Sequence, residues 1–532
     1  GSDDSCCTTD GSSFYVGNNP TGNSGYDTAT GNTSTGIDTL LSLTEGDSNT
    51  AMGTAAGKNL TTADDNVLVG QYAGGLITTS SDNVIIGSNA GDAITDQAGN
   101  NVLIGKNAGS AITTGTAQTI IGSLAGRLTT TGGENAYIGY QTGHSNVTGS
   151  YNIAVGLNAL RNNTQGSYNV ALGHSALFSS DANALNDGYN VAVGHYAGYA
   201  VTTGQHGVYL GYGAGDAITT AVGNVAIGSG ALSAETTAAY NTAVGYNSLA
   251  VQDGAPGNTA LGYSTGKLIS TGGYNTLVGG YTGDAITTGA KNTAIGYQAG
   301  SAIVGGDANI LIGAQAGEAL TEGDDHVAIG YQALMTEDTS TSPSIAIGPY
   351  ALHAQNSGEY NIGIGPEAGR AISTGDYNIA IGREALHTEN TNSMNIALGY
   401  NALKVQDGAD GNVAIGYNAG LAVTTGGENT IIGNEAGDVL TTGSENIIIG
   451  RRAAAAAVGN DNSIVIGTGA TGAGSNTTVI GTGSTTNARV FGLRTFVTAT
   501  TADTSLTAAD SGETFVFNDT AATFTLPDSG AG

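Results

Sequence analysis

The chain predicts an all-β fold, a parallel β-solenoid of 17-residue coils. Three observations carry that prediction. First, a unit close to N-x-A-I-G-x-x-A-(G/L) recurs almost without slippage from about Ser13 to Gly481, its central glycine stepping by 17 through Gly53, Gly70, Gly87 and onward to Gly467. A strict short period of this length means that each unit buries itself against its neighbours along one axis. Second, the two to four residues before each glycine are Val, Ile, Leu, Thr or Ala, the composition of a short strand. Third, apolar residues in the unit exchange sizes with one another, as close packing between stacked coils demands.

Taken in order, residues 1–12 form an N-terminal tail carrying the only cysteines, Cys6 and Cys7. Adjacent cysteines bond to each other only with strain and cannot make a tetrahedral metal site alone. Two readings stay open, an interchain disulfide or an exposed reduced pair. Residues 13–486 are the repeat rod. Residues 487–532 form a C-terminal β module with an alternating strand pattern around Thr514–Phe517 and a stop after Thr525-Leu526-Pro527 that suits a trimmed chain. The start at Gly1 without Met likewise suits processing.

Within the rod, positions are numbered from the Asn, as in Asn292-Thr-Ala-Ile-Gly296. Positions two and four point to one side of the strand and position three to the other. Both sides are apolar, so both are expected to be buried, one inside the coil and the other, assigned to position three, against another chain. Gly at position five suits a corner with positive φ or a close backbone approach. The Asn at position one closes a turn and can stack into a ladder. Candidate repeat-defining residues are therefore Asn66, Gly70, Asn224, Gly228, Asn292, Gly296, Asn412 and Gly416. Where position three is bulky, as at Leu68, Ile85 or Leu311, position nine is Gly, or Ala454 in the coil of Ile448; where position nine is Leu, as at Leu160, Leu249 or Leu403, position three is Ala. Gly-type coils also carry an apolar plug soon after, such as Ile94 or Ile303, which Leu-type coils replace with polar residues. About 28 coils at a rung spacing of about 4.8 Å give a rod of roughly 130 Å.

The motifs Asn224-Val-Ala-Ile-Gly228, Asn292-Thr-Ala-Ile-Gly296 and Asn412-Val-Ala-Ile-Gly416 resemble the head repeats of trimeric autotransporter adhesins of the YadA type. That resemblance covers nearly 90% of the chain. It implies a left-handed, homotrimeric β-roll without enzymatic activity, although the adhesin unit is usually shorter. The 17-residue form with N-T-A-I-G-Y-Q-A is also similar to bacteriophage tail-fibre repeats, and the segment from Ser505 to Pro527 is similar to a short β module of such fibres. The expectation is a structural phage tail fibre, a virion shaft with possible receptor contact whose partners are other tail or baseplate proteins and a host-surface glycan or protein. The alternative is a bacterial cell-surface adhesin, and a distant third is an ice- or mineral-binding solenoid.

Composition limits the remaining chemistry. A net charge of -30 disfavours nucleic acid, and no apolar run approaches the length of a membrane span. No nucleotide loop, nucleophile motif or calcium nonapeptide occurs, so no enzyme activity, cofactor or metal is expected. Acids at position ten (Asp92, Asp216, Asp284, Glu318, Asp438) read as solvated loop residues, and His174 and His195 as a stacked loop pair. Tyr246, Tyr263, Tyr297 and Tyr331 follow the central glycine and are the candidate glycan contacts, with a structural ladder as the competing reading.

Overall fold

The computed structural model describes residues 7–9, 14–17, 29–181, 187–336, 342–485, 504–505 and 524–525. Strands are numbered in chain order: β1 is Cys7–Thr9, β2 Phe14–Gly17 and β3 Thr33–Gly36, after which each coil contributes one three-residue strand from β4 (Thr50–Met52) to β29 (Thr478–Ile480). β1 runs antiparallel to β2, so part of the segment read as a tail is sheet. From β2 to β29 every strand pairs in parallel with the next, in register, within one sheet. The rod is thus a parallel β-solenoid of 17-residue coils, and its rungs from β3 to β29 span about 125 Å. Of the expected C-terminal module, β30 (Thr504–Ser505) pairs in parallel with β31 (Phe524–Thr525), and the rest lies outside the described residues.

One coil shows how so little strand closes a loop. The amides of Gly296 and Gln298 donate to Val278 and Gly280 of the preceding coil, at 2.8 and 3.1 Å. Those of Thr293, Gly300, Ala302 and Val304 donate to Asn309, Ala316, Glu318 and Thr321 of the following coil, at 2.8–3.0 Å. Backbone polar groups are therefore satisfied around the circumference, and not only along the three strand residues. Reversing the donor direction needs left-handed backbone, supplied here at Gly296, Gln298, Gly300 and Ala308 (φ 139°, 56°, 57° and 58°). Each non-glycine residue in that region costs on the order of 1 kcal/mol, which the interlocked amides offset.

The interior settles which side of the strand faces in. Position three is fully buried within its own coil along almost the whole rod, as at Leu68, Ala154, Tyr209, Ala294 and Ile431. The expectation that position three lies between chains is corrected accordingly: the corners turn the chain toward that side, so its neighbours are position nine and the plug. Positions two and four face outward and are half-buried or exposed.

The size exchange follows from the same geometry. At Gly74 an added Cβ would stand 2.8 Å from the Ile77 plug and 3.1 Å from Leu68 at position three. A Leu at position nine fills that space in the other coils, with φ between 46° and 53°, and leaves room for only a small residue beneath it. At Gly363, below Leu352, even a Cβ would come within 2.8 Å of the Leu352 Cγ.

Candidate functional site

The repeat-defining residues occupy two columns that hold the coils together. Position five is a straight file of glycines with φ from 126° to 144° between Gly36 and Gly467. A Cβ on Gly70, Gly228, Gly296 or Gly416 would lie 2.4–2.6 Å from the carbonyl oxygen of the next glycine in the file. Two separate constraints, φ and backbone approach, therefore exclude every other residue.

Position one is a buried amide ladder. The Asn292 amide N–H donates to Asn275 Oδ1 at 2.9 Å, its Nδ2 donates to Gly306 O at 2.7 Å, and its Oδ1 accepts from the Asn309 N–H at 2.9 Å. Asn412 repeats this pattern with Asn395, Gly426 and Asn429. Asn224 does so toward Ala238 and Asn241, and Asn66 toward Asn49, Ser80 and Asn83. His326 replaces Asn once: its own N–H donates to Asn309 Oδ1 and its Nδ1 accepts the Ser344 N–H at 3.1 Å. Gly207 replaces it where Tyr209 fills the site, since a Cβ there would overlap the Tyr209 hydroxyl. Of the cysteines, Cys7 begins β1 and Cys6 lies outside the described residues.

The tyrosines stand on the outer surface. Tyr246 and Tyr263 stack with centroids 5.5 Å apart, and Tyr263 meets the edge of Tyr281, which in turn meets Tyr297. Tyr331 packs edge-on against Tyr350. Each of the four candidate rings thus has a neighbouring ring against it and remains about half exposed. His174 and His195 stack at 4.7 Å. The first Thr of each corner donates its hydroxyl to the next coil, Thr287 to Val304 O and Thr130 to Val147 O, while the second, as at Thr288 and Thr131, is exposed.

Three features escaped the sequence reading because they depend on which columns coincide. In Leu-type coils the plug site, position twelve, holds buried polar side chains that bond the second corner. Gln252 donates to Ala255 O and Gln406 to Ala409 O, while Glu389 accepts the N–H groups of Asn390 and Asn392. Burial raises the Glu389 carboxyl above its ordinary range despite those bonds. Second, position ten brings His353, Arg370, His387 and Lys404 into one file, neutralised by acids at position seven: Glu367 pairs with Arg370 and His387, and Glu384 with Lys404 and Arg383. The Lys404 hydrogen bond holds Glu384 below the usual carboxylate range. Third, Asp92, Asp216 and Asp284 sit in partly buried turns that raise their carboxyls.

A groove of about 700 Å³ is lined by Ala302, Ala319, Thr321, Thr336, Ala354, Asn356 and Ser373, without a titratable group. Among the described residues no three His, Cys, Asp or Glu side chains gather to hold a metal ion, and no helix is long and apolar enough to cross a membrane. The surface that remains is the outward strand face. Position four is Val, Ile or Leu on every rung from Val69 to Ile480, position two alternates between stretches of Val or Ile and stretches of Thr such as Thr242 to Thr293, and Ile153, Leu261 and Ile480 are each 47% exposed. Compared with models of known families the chain matches none, and no curated protein sequence matches it.

Proposed function

We propose that the chain is the non-enzymatic shaft of a phage tail fibre, assembled as a homotrimer in which three rods cover one another's outward strand faces. The observation that carries this reading is the outward apolar file at position four, unbroken from Met52 to Ile480, flanked at position two by Val or Ile on most rungs and Thr or Ala on the others. Soluble monomers rarely expose contiguous apolar patches beyond a few hundred Å², whereas this file repeats on every rung. The occupant that matches a surface of this length and periodicity is another copy of the same rod, because identical rungs keep register along the whole axis. Stiffness comes from the interlocked backbone and the glycine and asparagine files, so the rod can hold an attached tip at a fixed distance.

The test is solution mass by light scattering together with rod length by electron microscopy. Three times the 52.3 kDa chain mass on a rod of about 125 Å is expected. A soluble monomer would sink the covered-face argument. Charge placed outward, as in Ile295→Glu with Ile312→Glu, should dissociate the assembly while leaving the far-ultraviolet spectrum of the coils intact. Assignment to a virion is tested separately, by locating the chain on tails with specific antibody.

A further inference from the structure

On the turn side of the rod, positions six to twelve, Asp92 and Asp216 both stand at position ten. Between them six consecutive coils carry no Asp or Glu in this segment (residues 106–112, 123–129, 140–146, 157–163, 174–180 and 195–201). The titratable side chains there, phenols aside, are Lys106, Arg127, His144, Arg161, His174 and His195. In a chain of net charge -30 this face has the opposite sign.

Backbone bonds show that the position-ten residues form one file. Leu128 N–H donates to His144 O at 3.0 Å, Ser145 to Arg161 O at 2.9 Å, Asn162 to Phe178 O at 3.0 Å and Ser179 to Tyr199 O at 3.1 Å. Arg127, His144, Arg161, Phe178 and Tyr199 therefore succeed one another along the axis. The Arg161 guanidinium lies 5.6 Å over the Phe178 ring, which stacks on Tyr199 at 5.1 Å. Its Nε donates to Gln141 Oε1 at 3.2 Å, a neutral partner. Arg127 is exposed, and neither arginine forms an ion pair among the described residues. The other basic file, His353 to Lys404, differs because Glu367 and Glu384 neutralise it. Burial first, then the charges of Arg161 and Arg127, lowers the His144 imidazole, and the two guanidiniums are the fixed charges of the position-ten file.

We propose that this face binds a linear acidic polysaccharide lying along the rod axis, its carboxylates received by Arg127 and Arg161. The two guanidiniums stand two rungs apart, about 10 Å. That separation suits a polymer with one acidic sugar per disaccharide. Guanidinium groups are matched to carboxylate geometry, and the Phe178 and Tyr199 edges supply apolar contact for sugar C–H groups. The face extends about 24 Å, the reach of a short oligosaccharide. Nucleic acid suits it poorly, since a phosphate at every nucleotide would run onto Asp92 and Asp216 at either end. The proposal needs the rod but not its placement on a virion, so it adds a ligand class to the fibre reading and can fail independently of it.

The test uses the full chain, its assembly mass measured first, titrated calorimetrically at low ionic strength with a hyaluronan tetrasaccharide, a neutral dextran, a polyglutamate peptide and a single-stranded oligonucleotide. Hyaluronan should bind, weakening as salt is raised. Arg127→Ala and Arg161→Ala should each weaken it about tenfold, Arg161→Lys should retain part of the affinity, and Lys404→Ala should change nothing. Circular dichroism checks that the variants keep their coils. Absence of hyaluronan binding, equal binding by the Arg127→Ala/Arg161→Ala double variant, or equally tight binding of polyglutamate or the oligonucleotide would overturn the proposal. A normal trimer that fails to bind would refute this site alone and leave the shaft reading standing.

Discussion

Replacing Gly296 with Ala tests the glycine file directly. The residue has φ 139°, and an added Cβ would stand 2.4 Å from Gly313 O and 2.6 Å from its carbonyl carbon. Backbone strain alone is worth about 1–3 kcal/mol. The overlap is with backbone held by its own ladder bonds, so relief requires separating two coils and losing several of them, each worth about 1 kcal/mol. Together a local cost above about 4 kcal/mol is expected, a large value for one methyl group. Gly254→Ala is the control: its φ is 87°, but nothing lies within 4 Å of the new Cβ, so only the conformational term remains. Because a solenoid is coupled through nearest neighbours, the damage should be local. Native-state hydrogen exchange should show lost protection of the amides that bridge the coils beginning at Asn292 and Asn309, with distant coils unchanged. Equal exchange behaviour of Gly296→Ala and Gly254→Ala would refute the claim that backbone approach, beyond φ, dictates the glycine.

Three further outcomes are expected. Asn292→Ala should cost about 3 kcal/mol, because it leaves the Asn309 N–H and Gly306 O without their buried partners; chemical denaturation of the variant checks this. Gly369→Leu should be strongly destabilising alone, its Cβ lying 2.8 Å from Leu352 of the preceding coil and 2.9 Å from the Ile372 plug. With Ile372→Asn it should be partly rescued, giving a favourable coupling of about 1–3 kcal/mol in a double-mutant cycle, because Gly363 and Ala380 leave room for a Leu-type coil. Burial raises the Asp92, Asp216 and Asp284 carboxyls in the fold, so the native state binds protons that the unfolded chain has released. Stability due to these groups is therefore greatest below the unfolded value near 3.8 and falls as pH rises through the folded value. Asp→Asn variants should melt higher than the parent at neutral pH and equally below that value.

The sequence by itself determined the architecture. A 17-residue period, a β-branched triplet and an invariant glycine admit little besides stacked coils, and the exchange among Leu68, Gly74 and Ile77 was legible as shared space because each substitution is answered within the unit or the next one. Which side of the strand faces inward was decided only by the tertiary structure. Alternation tells that positions two and four oppose position three, but with Ile295 and Ala294 both apolar the pattern contains no sign. That sign is set by left-handed residues at the corners, such as Gln298 and Ala308, which no residue type announces. For the same reason the file of Arg127, His144 and Arg161 stayed hidden. Seventeen residues separate each from the next in the chain, and only coil stacking makes them neighbours and leaves their charges without a carboxylate.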